Sequence, residues 1–482
     1  MSKTISTPRI NVPAKLGVRP GNAFFLTLPI EGHELNLHCT GLPPGVSFNN
    51  SNASLSGKID MPGCWELTLH AENSAGYSER KVQLIAGKEI QLTPPMGWNS
   101  WYCFSESVSD LRIRETALAM KERGLSCHGW NHINIDDCWQ GVRGGKYGAL
   151  QGNERFPDMK GLADYIHSLG LRFGIYSTPW ISSYAGFRGG STDGGFEERF
   201  FLPENERLQP NQVFGRCPRI LDVNMTRVGA EWFFDHDVRQ WAEWEVDFVK
   251  VDWKPNDVPV TRRIHRELYN CGRDITLSLS NNAPPEFAPE LAEASELWRV
   301  TGDIRDTWES INEIGFKHHP IWLKELRPGH YPDFDMLQIG DIGVPNRPNL
   351  TYTPSRLSLN EQRLQFSLWC LLSAPLILSC DIAGMDDQTF ALLTNDEIIA
   401  INQDPLVQAP DIEDCGNGIL IYRKALANGS LAIGIFNRAD SKNSWRVDTD
   451  KFEVWDLWEK DVIDLRKDIT LEPHSVRMFK TR

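Results

Sequence analysis

The chain has 482 residues, 41% hydrophobic and 24% charged, with a formal net charge of −14. This is the composition of a folded protein of roughly two to four domains. The acidic balance and the lack of a Lys/Arg run argue against nucleic acid as a partner, since such binders displace counterions with clustered cations, and no apolar stretch reaches the roughly eighteen residues of a membrane span.

The opening Met1-Ser2-Lys3-Thr4-Ile5-Ser6 has no apolar signal core. The expectation is an intracellular protein, or one whose export signal has been removed. Residues 1–90 read as a small all-β module. Phe24-Phe25-Leu26-Thr27-Leu28, Glu34-Leu35-Asn36-Leu37-His38 and Trp65-Glu66-Leu67-Thr68-Leu69-His70-Ala71 partly alternate apolar and polar residues, with Gly41-Leu42-Pro43-Pro44-Gly45 and Met61-Pro62-Gly63 as turns. Together with Leu55-Ser56-Gly57 and Ala71-Glu72-Asn73-Ser74-Ala75-Gly76, these turns resemble a bacterial immunoglobulin-like repeat, which implies a β-sandwich. Its expected role is a structural cap on the next domain, with a spacer or sugar-binding accessory as the alternative.

Over residues 91–407 short strands alternate with helical patterns. Eight strands are expected: Met96–Ser100, Ile133–Trp139, Phe173–Thr178, Val246–Trp253, Thr276–Asn281, Leu297–Asp303, Met336–Gly340 and Leu376–Asp381. Helices are expected over Asp110–Arg123 (opened by an Asp N-cap), Asp158–Leu169, Arg227–Trp244, Asp257–Cys271 and Asn360–Ser373. This rhythm points to a closed (β/α)8 TIM barrel. An open doubly wound sheet is disfavoured because no Gly-x-Gly-x-x-Gly opens a helix. The long connection from Ile181 to Thr226, rich in Gly and Pro, reads as a wall, a lid or a plain surface excursion.

From residue 408 to 482 the helices stop. Gly418–Tyr422, Ser430–Phe436, Phe452–Trp458 and Ile469–Phe479 are strand-like, and Asn428-Gly429 is a hairpin signal. The expectation is a C-terminal antiparallel β-sandwich. The ten cysteines form no Cys-x-x-Cys pair and no zinc-like spacing, so they read as free thiols, and neither a metal nor a cofactor is expected.

The chemistry lies in carboxylates late in strands. Asp136 and Asp137 end Ile133-Asn134-Ile135-Asp136-Asp137, Asp252 ends Val249-Lys250-Val251-Asp252, and Asp303 ends Val300-Thr301-Gly302-Asp303. Any one of them could be a helix cap or a turn residue. Repeated at several strand ends, they fit the catalytic face of a parallel barrel. Two carboxylates on one pocket are what glycosidic cleavage needs, one to attack or steady a positive charge and one to protonate the leaving oxygen. Lys250 and Asp252, two apart, share the inward face, and a Lys beside Asp252 favours its ionised form. Arg299, four before Asp303, could bind a hydroxyl, tune Asp303 or form a structural ion pair. Asp335 is a candidate hydroxyl acceptor, and Trp101 and Tyr176 are candidate sugar walls. Seventeen tryptophans supply many flat apolar rings for core or for sugar.

From residue 93 to the C-terminus the chain resembles glycoside hydrolase family 27, the α-galactosidase and α-N-acetylgalactosaminidase family. The likeness rests on Pro95-Met96-Gly97-Trp98-Asn99-Ser100-Trp101, Ile135-Asp136-Asp137-Cys138-Trp139, Arg155-Phe156-Pro157, Gly174-Ile175-Tyr176, Val249-Lys250-Val251-Asp252, Trp298-Arg299 with Asp303, Asp333-Phe334-Asp335-Met336 and Ala374-Pro375-Leu376, in that order. The resemblance implies a retaining exo-glycosidase acting on an oligosaccharide or glycoconjugate. Asp252 would be the nucleophile and Asp303 the acid/base. Asp136, Asp137 and Lys250 would read the C4 and C6 hydroxyls, Arg299 the C2 side, and Asp335 would support the site. Where galactosidases of the family often carry Cys-Glu-Trp beside C2, this chain has Ser278-Leu279-Ser280-Asn281-Asn282-Ala283. Ser280 and Ala283 fit the small-residue spacing of the N-acetyl branch. The disulfide that often flanks the nucleophile is expected to be missing, with Lys254 near one half and Tyr184 near the other. α-Galactosidase is therefore the leading expectation, followed by α-N-acetylgalactosaminidase and β-L-arabinopyranosidase. The non-enzymatic alternative is a silent carbohydrate-binding protein. Oligomeric state is left open.

Overall fold

The computed structural model describes residues 5–193, 225–343, 352–446 and 453–481. The expected positions Gly194, Gly195, Pro203 and Pro210 of the long connection lie outside the described residues.

The N-terminal residues form two sheets. One orders Lys15–Val18, Gly76–Ala86, Gly63–Asn73 and Asn36–Thr40; the other orders Ala23–Thr27, Ser54–Lys58 and Val46–Asn49. Alternation sets the faces. In Asn36–Thr40, Leu37 and Cys39 are buried while Asn36, His38 and Thr40 are exposed. Leu37, Leu55, Leu67, Leu69 and Leu84 of both sheets meet in one apolar core. Gly41 makes the turn its neighbours need: its φ is +80°, and a Cβ there would meet the Glu66 carbonyl oxygen at 2.2 Å.

Eight parallel strands follow: Met96–Asn99, His132–Asn134, Arg172–Ser177, Phe248–Asp252, Thr276–Ser280, Leu297–Arg299, Tyr331–Asp333 and Leu376–Leu378. The last pairs with the first, Met96 opposite Leu376. The ring closes between the seventh and eighth through a parallel bridge from Leu337 to Leu378. The seventh strand is therefore not Met336–Gly340 as expected. Pro332, which lacks an N–H, disguises the true strand, and Asp335 at φ +75° breaks the chain before the apolar run that looked like one. The second and sixth strands are also shorter than expected. Asp136, Asp137 and Asp303 lie in the loops beyond their ends.

Helices pack outside the barrel. Asp158, Asp257 and Ser358 cap theirs by accepting from Gly161, Val260 and Glu361 backbone N–H groups. The helix Asp110–Glu122 is capped by Ser109, one residue earlier than expected. The expected helix from Arg227 shrinks to Phe234–Glu243, because Glu231–Trp232 pairs as a short strand with Ser191–Thr192. The chain ends in a six-stranded antiparallel sheet ordered Asp411–Gly416, Ile419–Ala425, Leu431–Asn437, Ser475–Thr481, Glu453–Asp456 and Asp461–Asp464. Asn443–Trp445 pairs separately with Ile469–Leu471.

The N-terminal sheets are fastened to the barrel on the side of the strand starts. Ala23 bridges Arg273, the Thr27 hydroxyl donates to the Gly170 carbonyl at 2.7 Å, and Phe25 stacks on His167. The buried Arg19 guanidinium pairs with buried Glu296, whose other oxygen accepts from the Leu277 N–H. Arg19→Ala strands the Glu296 charge and is expected to cost about 3–5 kcal/mol in a urea titration, while replacing both residues with Met recovers most of that.

Candidate active site

At the C-terminal end of the barrel the strand ends deliver polar side chains inward. Lys250 and Asp252 share that face; Val249 and Val251 between them are fully buried in the apolar layer under the helices. The Lys250 Nζ donates to Asp136 Oδ2 at 2.8 Å. Asn99 Nδ2 donates to the same oxygen, also at 2.8 Å. Burial works against the Lys250 charge, but Asp136 and then Asp252 hold its pKa above the ordinary lysine value. Asp137 is fixed by backbone N–H groups, Ala185 to Oδ2 at 2.9 Å and Cys138 to Oδ1 at 2.7 Å. Burial still pushes it up to about 6.

Asp252 Oδ2 accepts from the Tyr176 hydroxyl at 3.0 Å. Its Oδ1 is buried and has no protein partner. Burial pushes this carboxyl up to about 7; Lys250 and the Tyr176 hydrogen bond pull the other way, and the charges of Asp303 and Asp136 add to the rise. Lys250 favours the ionised form of Asp252, as expected, but does not outweigh burial. The lysine is spent chiefly on Asp136.

Asp303 sits four residues past the end of the sixth strand. Arg299 Nη2 donates to its Oδ1 at 3.1 Å and pairs with Asp335 Oδ2 at 2.8 Å. Burial raises the Asp303 pKa, but the side chain keeps 55% exposure, and Arg299 followed by Lys250 leaves it below the ordinary value. Asp335 is held on both oxygens: Ile304 N–H donates to Oδ2 and Met336 N–H to Oδ1. It therefore clamps Arg299 and the start of the loop carrying Asp303.

Trp101 opens the first turn after the first strand, its N–H donating to Asn99 Oδ1. Ser280 pairs in register with Asp252. Ala283 is buried, and its N–H donates to the Arg299 carbonyl at 2.9 Å. Between them Asn281 and Asn282 take φ of +78° and +74°, a conformation in which Asn is over-represented among non-glycine residues. Asn281 Nδ2 donates to the Tyr184 hydroxyl at 2.9 Å, so a hydrogen bond joins the loop after the third strand to the loop after the fifth. The nine described cysteines are all free, and the Lys254 charge instead acts on Asp303.

Two contributors escaped the sequence reading. Asn99 was visible as a polar residue inside an apolar strand. Asp333, which burial pushes up to about 6 against the opposing pull of Arg299, was hidden with the seventh strand. For metals, the one His/carboxylate grouping among the described residues, Glu31, His128 and Asp396, lies far from this face. Arg9 pairs with Asp396 there at 2.8 Å.

A family model described as alpha galactosidase A matches residues 93–200 and 224–404, and one for the alpha galactosidase C-terminal beta sandwich domain matches 416–481. The chain belongs to this family, glycoside hydrolase family 27. It is a glycoside hydrolase. Alpha-galactosidase A of Cellvibrio japonicus is 34% identical over 391 residues, covering 76% of this chain and 82% of that protein. A candidate alpha-galactosidase/melibiase of Bacteroides fragilis superposes with TM-score 0.83 at 27% identity over 98% of both chains, N-terminal sheets included. A family 27 β-L-arabinopyranosidase of Geobacillus stearothermophilus superposes with TM-score 0.68 at 27% identity, over 80% of this chain and 96% of that one.

A carboxyl whose folded pKa exceeds its unfolded value stabilises the fold at low pH and loses that contribution as pH rises between the two. For Asp252 the window runs from about 4 to about 7. Asp252→Asn removes the buried charge, so its Tm should exceed that of the wild type by roughly 2 °C or more at pH 7.5, with the gain vanishing at pH 4; thermal melts at the two pH values check this.

Proposed function

We propose that this glycoside hydrolase releases terminal α-linked D-galactose with retention of configuration. The observation that carries the reading is Asp252, with one oxygen held by Tyr176 and the other free of protein partners, within electrostatic reach of Asp303. An Asp252 carboxylate oxygen attacks the anomeric carbon as the bond to the leaving oxygen breaks, and Asp303 protonates that oxygen. Asp303 then takes a proton from the water that frees the sugar from Asp252.

The two carboxyls titrate as a pair. Burial raises Asp252 while Arg299 lowers Asp303, so a proton shared by the pair favours Asp252 in the free enzyme. A sugar seated over Asp303 displaces its water and transfers that proton to Asp303, leaving Asp252 ionised for attack. Loss of the shared proton ends activity, so kcat/KM for nitrophenyl α-galactoside is expected to fall as pH rises through about 7. Asp136 with Lys250, and Asp137 beside them, suit an axial C4 hydroxyl and the C6 hydroxyl through charged hydrogen bonds, which reject an epimer strongly. Trp101 and Tyr176 wall the ring, and Arg299 lies toward C2.

One observation favours a second reading, α-N-acetylgalactosaminidase: Ser280 and Ala283 are small where a 2-acetamido group would need room. Presence of Asp136 beside the C6 position weighs against a β-L-arabinopyranosidase. Rates on nitrophenyl α-galactoside, its 2-acetamido analogue and nitrophenyl β-L-arabinopyranoside rank the three. Release from none of them overturns the α-galactosidase reading and both of its alternatives. The first product seen by NMR should be the α anomer. Asp303→Ala is expected to lower kcat by about 10²–10⁴-fold, and Asp252→Asn to abolish turnover while sugar binding persists.

A further inference from the structure

At the opposite end of the barrel, where the strands begin, a cavity of about 510 Å³ lies among the N-terminal sheets, the barrel and the C-terminal hairpin. Its size is that of a small-molecule site. Its walls are mixed, with Leu16 and Leu26 giving an apolar side and many polar groups making up the rest. The chief of these is Arg172.

Arg172 opens the third barrel strand and pairs in register with His132. It is 6% exposed. Its backbone N–H donates to the Asn131 carbonyl, but among the described residues its guanidinium makes no hydrogen bond and no ion pair within 4 Å, and its Nε is fully buried. The carboxylates whose charge reaches it, Asp247 and Asp274, are engaged elsewhere. Asp247 accepts from His167, Arg273 and the Phe173 N–H; Asp274 accepts from the Arg19 N–H and Asn22. Asn131 Oδ1, beside it on the cavity wall, also lacks a partner. Burying a guanidinium without acceptors is costly, and the cavity is where an acceptor can sit. Lys15, Arg80 and Lys480 add further cations to the wall. The acidic wall residues are already taken: Asp396 by His128, Glu397 by Lys460, and Asp404 by the Ala427 N–H.

We propose that this cavity binds a small oxyanion-bearing metabolite, its phosphate or carboxylate held by the Arg172 guanidinium, its uncharged part against the apolar wall. A planar fork of N–H donors is suited to either group. Asn131 Oδ1 accepts a hydroxyl from the same ligand. The site stands independently of the glycosidase reading, since it lies at the other end of the barrel.

Thermal shift and titration calorimetry on the full chain test it, with inorganic phosphate, a hexose 6-phosphate and a hexuronate at matched ionic strength against sodium chloride. At about 10 mM, at least one oxyanion should raise Tm by roughly 2 °C or more over chloride. Response to phosphate and hexose phosphate alone assigns a phosphate ligand; response to the uronate alone assigns a carboxylate. Arg172→Met should abolish the shift, and Lys15→Glu should weaken binding at least about threefold. Should Arg172→Met fail to fold, tungstate-soaked crystals of the wild type decide, with an anomalous peak expected against Arg172. No oxyanion-specific shift, a full shift in Arg172→Met, or tungstate bound elsewhere overturns the proposal.

Discussion

The site depends on an imbalance of buried charge. Asp136, Asp137, Asp252, Asp303, Asp333 and Asp335 crowd one end of the barrel, and the cations set directly among them are Lys250 and Arg299. Lys250 is held by Asp136, and Arg299 is shared between Asp303 and Asp335. The remaining carboxylates cannot all stay ionised in a desolvated space, so burial lifts Asp137, Asp252 and Asp333 together. The same crowding favours positive charge on any group that comes to lie among them. Stability is given up in the ground state for charge complementarity later.

Holding that arrangement needs a stiff frame, and the chain supplies it from both flanks. The N-terminal sheets grip residues just before the third, fifth and sixth strands through Gly170, Arg273 and Glu296. The C-terminal sheet presses on the helix Leu359–Leu371. There the buried Lys424 ammonium donates to the Ser373 hydroxyl and the Cys370 carbonyl, satisfying groups at the helix end. Burial lowers this lysine to about 8, so it too is retained against an electrostatic cost. Both braces lie away from the mouth. The Tyr184–Asn281 hydrogen bond ties two of the mouth's loops together.

Most of the barrel was legible because several strands mix an apolar outward set with a polar inward one. Val249 and Val251 against Lys250 and Asp252 is the plainest case. Where the pattern misled, the cause was local. Pro332 concealed the seventh strand, and the apolar run after Asp335 imitated it. Asp303 read as a strand end because Val300 and Thr301 have strand propensity, yet the chain turns away after Arg299, and the aspartate reaches the site from a loop. Arg172 was passed over altogether, since a cation at a strand start looks like an ordinary surface residue until the neighbouring sheets bury it.

The sequence alone settled which residue types recur at which spacing, and hence the eight-fold alternation, the flanking β modules and the carboxylates at the strand ends, because alternation and capping are local properties of a chain. Tertiary structure decided how charge is shared among them. Lys250 serves Asp136 more than Asp252, Arg299 bridges two aspartates, and burial rather than any neighbour governs the proton on Asp252. Desolvation and long-range Coulomb forces depend on distances across the closed barrel, which no local pattern records.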